Sequence, residues 1–449
     1  MTQDATPEPG FQASPGDEAD RITEPASATG AENETGLETA VADPPRWRRS
    51  ISFFLAGQTL SMFGSAIVGY AVMWYVTLET GSAGIFTILF LVNSIPMALT
   101  TIPGGIWADR YWRKALIIGS DAFVAVATVI LALVILNGHE TLWLIIGVLS
   151  LRGFAGGVQQ PAVSAVLPQI VPTRHLMRVN GINSAIMALT YIAAPALAAA
   201  LLALLPIGVI LFVDAVTAVL GIGCTIFVAI PRVAGAADLG KDGMRGYVRH
   251  LGEAFQTVWA IPGLRRAILL FSISFLVIVP PANMTPIIIV RFYGTEEWML
   301  AAAEMTWSIG MIVGGVIIAA WGGMRNRMTM MVAVVALWGA FTIAMGLAGN
   351  IWVFCVVMAL FGLSMPGVNT PLMTSVQELI PEAMLGRVMS FVTILITIAG
   401  PLGVAIIGPL GDIVDIRYVV VGCGVIGLIV TGIFALMRGP GSQLLPPDR

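Results

Sequence analysis

Charge is what this chain has least of. Asp, Glu, Lys and Arg make up 11% of its 449 residues, where soluble domains carry about 25%. With hydrophobic residues at 57% and a mean hydropathy of +0.88, so few charges cannot cover a water-facing body of this size. A soluble enzyme or binding module is excluded on that ground. The net charge of −3 gives no basic footprint for nucleic acid. Cysteine is scarce too: Cys224, Cys355 and Cys423 lie far apart inside apolar runs, so neither a disulfide framework nor a metal cluster is expected. The three histidines (His139, His175, His250) are placed in loops, and neither an H-E-x-x-H nor a Walker-A motif occurs. No cofactor, metal site or ATP engine is therefore expected.

What the chain has is apolar length. A membrane helix needs roughly 20 mostly apolar residues, and twelve windows qualify, near 51–76, 84–106, 115–137, 142–164, 181–203, 209–230, 267–290, 300–321, 329–348, 351–373, 388–411 and 418–437. The runs are continuous rather than alternating, which excludes a closed barrel. The expected fold is an all-α integral membrane protein of twelve transmembrane helices. Residues 1–45 hold ten acids against one base, Arg21. That acidic segment lacks both large apolar residues and the basic start of a signal peptide, and 1–46 is expected to be a disordered cytoplasmic tail. All but three of the 23 Lys and Arg, the exceptions being Arg152, Arg291 and Arg417, fall on the side of the N-terminus. The positive-inside rule then puts both termini in the cytoplasm of a cell-membrane protein.

The longest loop, 231–266, divides the chain into a bundle at 47–230 and a second at 267–437, with 438–449 as a short cytoplasmic tail. Within that loop Tyr247, Leu251, Ala254, Phe255 and Val258 have helical spacing, which fits an interfacial helix or a plain linker equally. A shift of 209 residues lays 150–182 on 359–391, with identities that include Gly153/Gly362, Pro172/Pro381 and Arg178/Arg387. Two parallel, pseudo-symmetric six-helix bundles follow, an arrangement typical of transporters with a site between the halves.

The loop after the second window reads G-G-I-W-A-D-R-Y-W-R-K. Gly105, Ala108, Asp109, Arg110, Arg113 and Lys114 match the signature G-x-L-a-D-r-x-G-r-k, with Trp107 and Trp112 in place of its leucine and second glycine. Here the chain resembles the major facilitator superfamily. An Asp among three bases can pair with them or sit against a helix N-terminus; the resemblance implies a latch that holds the outward-facing state. The first window carries Gly57, Gln58, Ser61, Gly64, Ser65, Ala71 and Trp74, followed by Thr80, Gly81 and Ser82; P-A-V-S-A-V-L-P-Q-I-V-P spans 161–172, and G-R-V spans 386–388. These segments are similar to the macrolide-efflux branch of drug–proton antiporters, which also resembles the enterobactin exporters.

Arg152 falls near the middle of the fourth helix. An Arg at that depth costs roughly 2.5–3.5 kcal/mol and needs a partner or a wet cavity. Asp121 in the third helix lies within one Arg side chain of it in depth, so the two are expected to pair, either as a structural bridge or as the proton-coupling site. In terms of the resemblance, Arg152 opens the helix-four motif R-x-x-x-G that ends at Gly156. Asp214 and Glu304, each about five residues from the outer surface, are expected to snorkel, with a cationic-substrate site as the alternative. Gln58, Asn93, Gln159, Gln160, Asn283 and Asn369 are further intramembrane polar residues that either join helices or face a substrate. Pro280, Pro281 and Pro286, and Pro366 and Pro371, mark kinks in the seventh and tenth helices.

The expectation is a monomeric secondary transporter, with no nucleic-acid partner, that exports amphipathic small molecules. Its energy source is the proton gradient, exchanged by antiport with alternating access. The alternatives are export of one endogenous metabolite, siderophore or bile-salt-like compound, or a non-transporting scaffold or sensor.

Overall fold

The structure is a computed structural model and describes residues 47–139, 141–230 and 243–437. The acidic tail at 1–46, the first part of the central loop and the segment 438–449 lie outside the described residues. Within them the chain is helical and has no strand. In a hydrocarbon environment each backbone N–H and C=O must be satisfied inside its own segment, which long apolar helices achieve.

The first half contains α1 (Trp47–Thr80), α2 (Ala83–Arg110), α3 (Arg113–Leu136), α4 (Leu142–Ile170), α5 (Thr173–Leu204) and α6 (Ile207–Ile226). Then follow α7 (Gly243–Ala260), α8 (Pro262–Val277), α9 (Val279–Asn283), α10 (Thr285–Phe292), α11 (Glu297–Trp321), α12 (Arg327–Leu347), α13 (Ile351–Ser364), α14 (Pro366–Leu379), α15 (Glu382–Ile407), α16 (Leu410–Ile413) and α17 (Ile416–Leu436). Among the described residues eleven helical segments are long and apolar enough to cross a membrane, or twelve if a bent pair counts as one span. The seventh window is filled by α8, α9 and α10 in succession, broken at Ile278 and Met284 on either side of Pro280 and Pro281.

The helix at α7 resolves the choice left open for the central loop. It bends by 114° into α8, so it lies across the end of the second bundle rather than continuing a span. Ala254 and Val258 are buried, and Phe255 meets Phe391 of α15 edge-on at 6.1 Å. Glu253 pairs with Arg387 of α15. Two histidines expected in loops are helical: His175 stands in the first turn of α5, stacked on Trp47 at 4.7 Å, and His250 lies within α7.

Small residues set the helix spacing around the future site. A Cβ at Gly153 would collide with the Asn93 carbonyl, so α4 lies hard against α2 where Arg152 enters. In the second half Trp338 stacks on Phe361 at 5.6 Å and donates through Nε1 to Ser364 Oγ at 2.8 Å. The α1 start and the α17 end share one face of the bundle, here the termini face. The halves meet along α2 and α15, where Gly408 leaves no room beside Thr87, and along α5 and α11, where Ser308 Oγ donates to the Tyr191 carbonyl at 3.2 Å.

Candidate functional site: a cavity between the halves

A cavity of about 770 Å³ lies between the two halves, within the usual size for a drug-sized ligand. Ser65, Tyr70, Trp74, Asn93, Arg152 and Gln159 face it from the first half, and Asn283, Glu304, Trp307, Phe361 and Thr397 from the second. Thr397 is exposed, as are Thr393 and Ser390, one and two turns nearer the termini face on the same side of α15. Gly156 also lines the cavity, and Gln160 and Ser164, four and eight residues on along α4, are exposed. On both helices, then, polar residues nearer the termini face than the cavity are exposed.

The expected pair of Asp121 with Arg152 does not form. Arg152 donates to Asp214 of α6, to Thr128 Oγ1 at 3.1 Å and to the Ser65 carbonyl at 2.9 Å. Ser65 Oγ closes the ring by donating to Asp214 Oδ1 at 2.7 Å. Nor does Asp214 snorkel: its side chain is 1% exposed. It sits two turns into α6 and faces the bundle, because an Arg that deep must bring its counter-ion inside with it. Glu304 also turns inward from α11, onto the cavity wall near Tyr70. Among the described residues no cation pairs with it.

Asp121 forms a second polar layer one to two turns nearer the termini face. Its Oδ1 accepts from Ser61 Oγ at 2.6 Å and from Gln159 Nε2 at 2.8 Å. Of the other polar candidates, Asn93, Gln159 and Asn283 line the cavity. Gln160 and Asn369 are exposed without lining it, and Gln58 lies elsewhere, its Nε2 buried without a partner.

At the termini face the G-x-x-x-D-R cluster ties the first half to itself. Arg113 spends all three nitrogens: Nε on the Ala108 carbonyl at 2.8 Å, one terminal nitrogen on the Ala165 carbonyl at 2.8 Å, and the other on Asp109 at 3.3 Å. Lys114 Nζ holds the carbonyls of Ile226 and Val228 at 2.7 and 2.9 Å and so caps the end of α6. Asp109 itself is 64% exposed; Arg110 is exposed, and a side chain at Gly105 would meet open space. In the second half Arg327, at the start of α12, meets Glu378 of α14 in a bidentate pair at 2.6 and 2.8 Å.

The opposite face joins the halves. Asp412 of α16 accepts from the backbone N–H of Ala83 at 2.9 Å and of Gly84 at 2.7 Å, and from Ser82 Oγ at 2.9 Å, all at the start of α2. Arg291 of α10 pairs with Asp412 and also donates to the carbonyls of Gly411 and, at 2.9 Å, Gly81. Gly81 has φ +57, a left-handed turn that presents its carbonyl to Arg291 at little steric cost. This clasp was not foreseen. Arg291 stood out in sequence only as a rare base on its side of the membrane, and Asp412 not at all.

The chain is 27% identical over 377 residues to macrolide efflux protein A of Streptococcus pyogenes, covering 83% of this chain and 92% of that one. It is 24% identical to the multidrug efflux pump Tap of Mycobacterium tuberculosis, covering 81% and 88%. In fold it is similar to a POT family transporter solved with 5-aminolevulinic acid (TM-score 0.68, 11% identity, 86% and 96% covered). It is also similar to a bacterial homologue of the iron transporter ferroportin in its inward-facing state (TM-score 0.63, 16% identity, 87% and 99% covered). The family model of the Major Facilitator Superfamily matches residues 54–404 and 297–447. The chain belongs to the major facilitator superfamily.

Proposed function

We propose that this transporter exports amphipathic cations from the cytoplasm by proton antiport with alternating access. One observation carries the reading: a drug-sized cavity between the halves, clasped shut at the face opposite the termini, with Glu304 as the one acid on its wall that no cation pairs with among the described residues. Arg152 adds no net charge to the cavity because Asp214 cancels it. Tyr70, Trp74, Trp307 and Phe361 offer apolar and π surface for the body of a substrate, and a carboxylate beside them favours a cation. The efflux names of the relatives, at 24–27% identity over most of both chains, support the direction of transport.

The bases gathered at the termini face make that face cytoplasmic, so the cavity is open to the cytoplasm. The cycle then exchanges two clasps. Closing the cytoplasmic side brings Asp109, now in solvent, against the second half. Opening the other side pulls the α2 N-terminus away from Asp412. Both acids act on helix termini or bases, where a unit charge is best stabilised.

The test is a susceptibility panel of amphipathic cations and size-matched neutral compounds in a host stripped of its own pumps. Expression should protect against the cations, and a protonophore should abolish the protection. Protection that survives collapse of the proton gradient would contradict antiport.

A further inference from the structure

One side chain separates the buried Asp121 from whatever occupies the cavity. Gln159 lines the cavity wall while its Nε2 donates to Asp121 Oδ1 at 2.8 Å. Ser61 Oγ donates to that same oxygen at 2.6 Å, and Asp121 Oδ2 is buried without a hydrogen-bond partner. A carboxyl that accepts through one oxygen and leaves the other bare is arranged as an acid, with Oδ1 as the carbonyl and Oδ2 as the place for the proton. The elements around it offer no free cation. α1 gives Ser61; α4 gives Gln159, with Arg152 two turns away and bound to Asp214 of α6. The charges of α2 are Asp109 and Arg110 in its last turn.

We infer that Gln159 is the positioning residue through which a protonated amine in the cavity expels the proton from Asp121. The inference rests on the antiport reading above and names its coupling link. The amine N–H donates to Gln159 Oε1, while Nε2–H stays on Asp121. The amide is conjugated, so a cation at its oxygen polarises the N–H and strengthens its bond to an ionised carboxylate. Asp121 then gives up the proton of Oδ2, which ends in bulk water, where the dye below reads it. In the reverse sense, protonation of Asp121 weakens the Nε2–H bond and with it the hold on the amine. The substrate class follows: an amphiphile with a protonated primary, secondary or tertiary amine. A quaternary ammonium has the charge but no hydrogen to donate.

The experiment counts protons released per ligand bound by the purified, full-length transporter in weakly buffered detergent solution with a pH-indicator dye. The probes are a dansylated tertiary alkylamine and its N-methyl quaternary analogue, both saturating. Wild type should release up to one proton per tertiary amine, and less than half as much with the quaternary probe. Gln159→Met should bind the tertiary amine up to about tenfold more weakly, the worth of one hydrogen bond, and release almost none once saturated. Gln159→Asn, which keeps the amide but is too short to span the gap, should behave alike. Ser61→Ala should still release on binding the tertiary amine, and Asp121→Asn should not. Wild-type release by Gln159→Met at saturation, or equal release with the two probes, overturns the link while leaving antiport standing. No release by wild type, together with no proton-driven transport, overturns the antiport reading and this inference with it.

Discussion

Arg291 pairs with Asp412 within the second half, where it meets the first, and the same carboxylate reaches across to accept the first two backbone amides of α2. A helix N-terminus in one half is thus capped by an acid from the other. Both side chains are partly exposed, so solvent screening reduces the clasp to about 1–2 kcal/mol. That is roughly a five- to thirtyfold change in the balance of two states. Asp412→Asn and Arg291→Ala should each move the resting population toward the state open on this face. Cysteine reporters at Tyr70 should become more reactive to impermeant reagents added outside, by about that factor. Unchanged reactivity would mean that the halves are held by packing alone.

Asp109 predicts the converse. At 64% exposure its pair with Arg113 contributes at most about 1 kcal/mol, so Asp109→Asn should leave the melting temperature almost unmoved. If it latches the cytoplasmic side in the other state, transport should nevertheless fall sharply. Thermal unfolding and transport measured on the same preparation separate these effects; a parallel fall in both would assign Asp109 to stability instead.

Arg113 is a different case, because three acceptors take three of its nitrogens. A lysine ammonium can reach one of those positions but not the planar fork of all three. Arg113→Lys should therefore be nearly as damaging to stability as Arg113→Ala, each by about 1–3 kcal/mol through carbonyls left unpaired. A lysine variant as stable as wild type would show that charge alone is needed.

The Arg152–Asp214 pair is a buried one, with side chains 10% and 1% exposed. Losing one partner strands the other, at about 3–5 kcal/mol. Asp214→Asn should lower thermal stability by that amount, while Asp121→Asn, whose acid has no ion pair, should cost far less. Arg152→Met with Asp214→Leu should recover much of the loss. Equal destabilisation by Asp121→Asn and Asp214→Asn would contradict this assignment of partners.

How far the sequence reaches is clear from these sites. The twelve apolar windows, the proline break at Pro280 and Pro281 and the helical spacing of Ala254, Phe255 and Val258 are local patterns, and each appears in the helices described. The partner of Arg152 is not local. Depth in the membrane can be counted along a helix, but the rotation of α3 and α6 decides which acid turns toward it, and that is fixed by packing. Counting depth singled out Asp121 and left Asp214 as a snorkelling acid, yet it is Asp214 that faces the guanidinium. The clasp was hidden for a related reason: Arg291 and Asp412 stand 121 residues apart, each near a helix end, where charges are common and carry no signal of their own.

Reconstitution into proteoliposomes tests the account most directly. A dansylated tertiary amine is supplied on the side of the termini face, and a pH gradient is imposed with the opposite side acidic. Wild type should move the amine toward the acidic side, against its own concentration gradient, and should stop when the pH gradient is collapsed. Asp121→Asn should still bind the amine yet fail to concentrate it. Accumulation by wild type that is indifferent to the pH gradient, or undiminished accumulation by Asp121→Asn, would contradict proton antiport through this site.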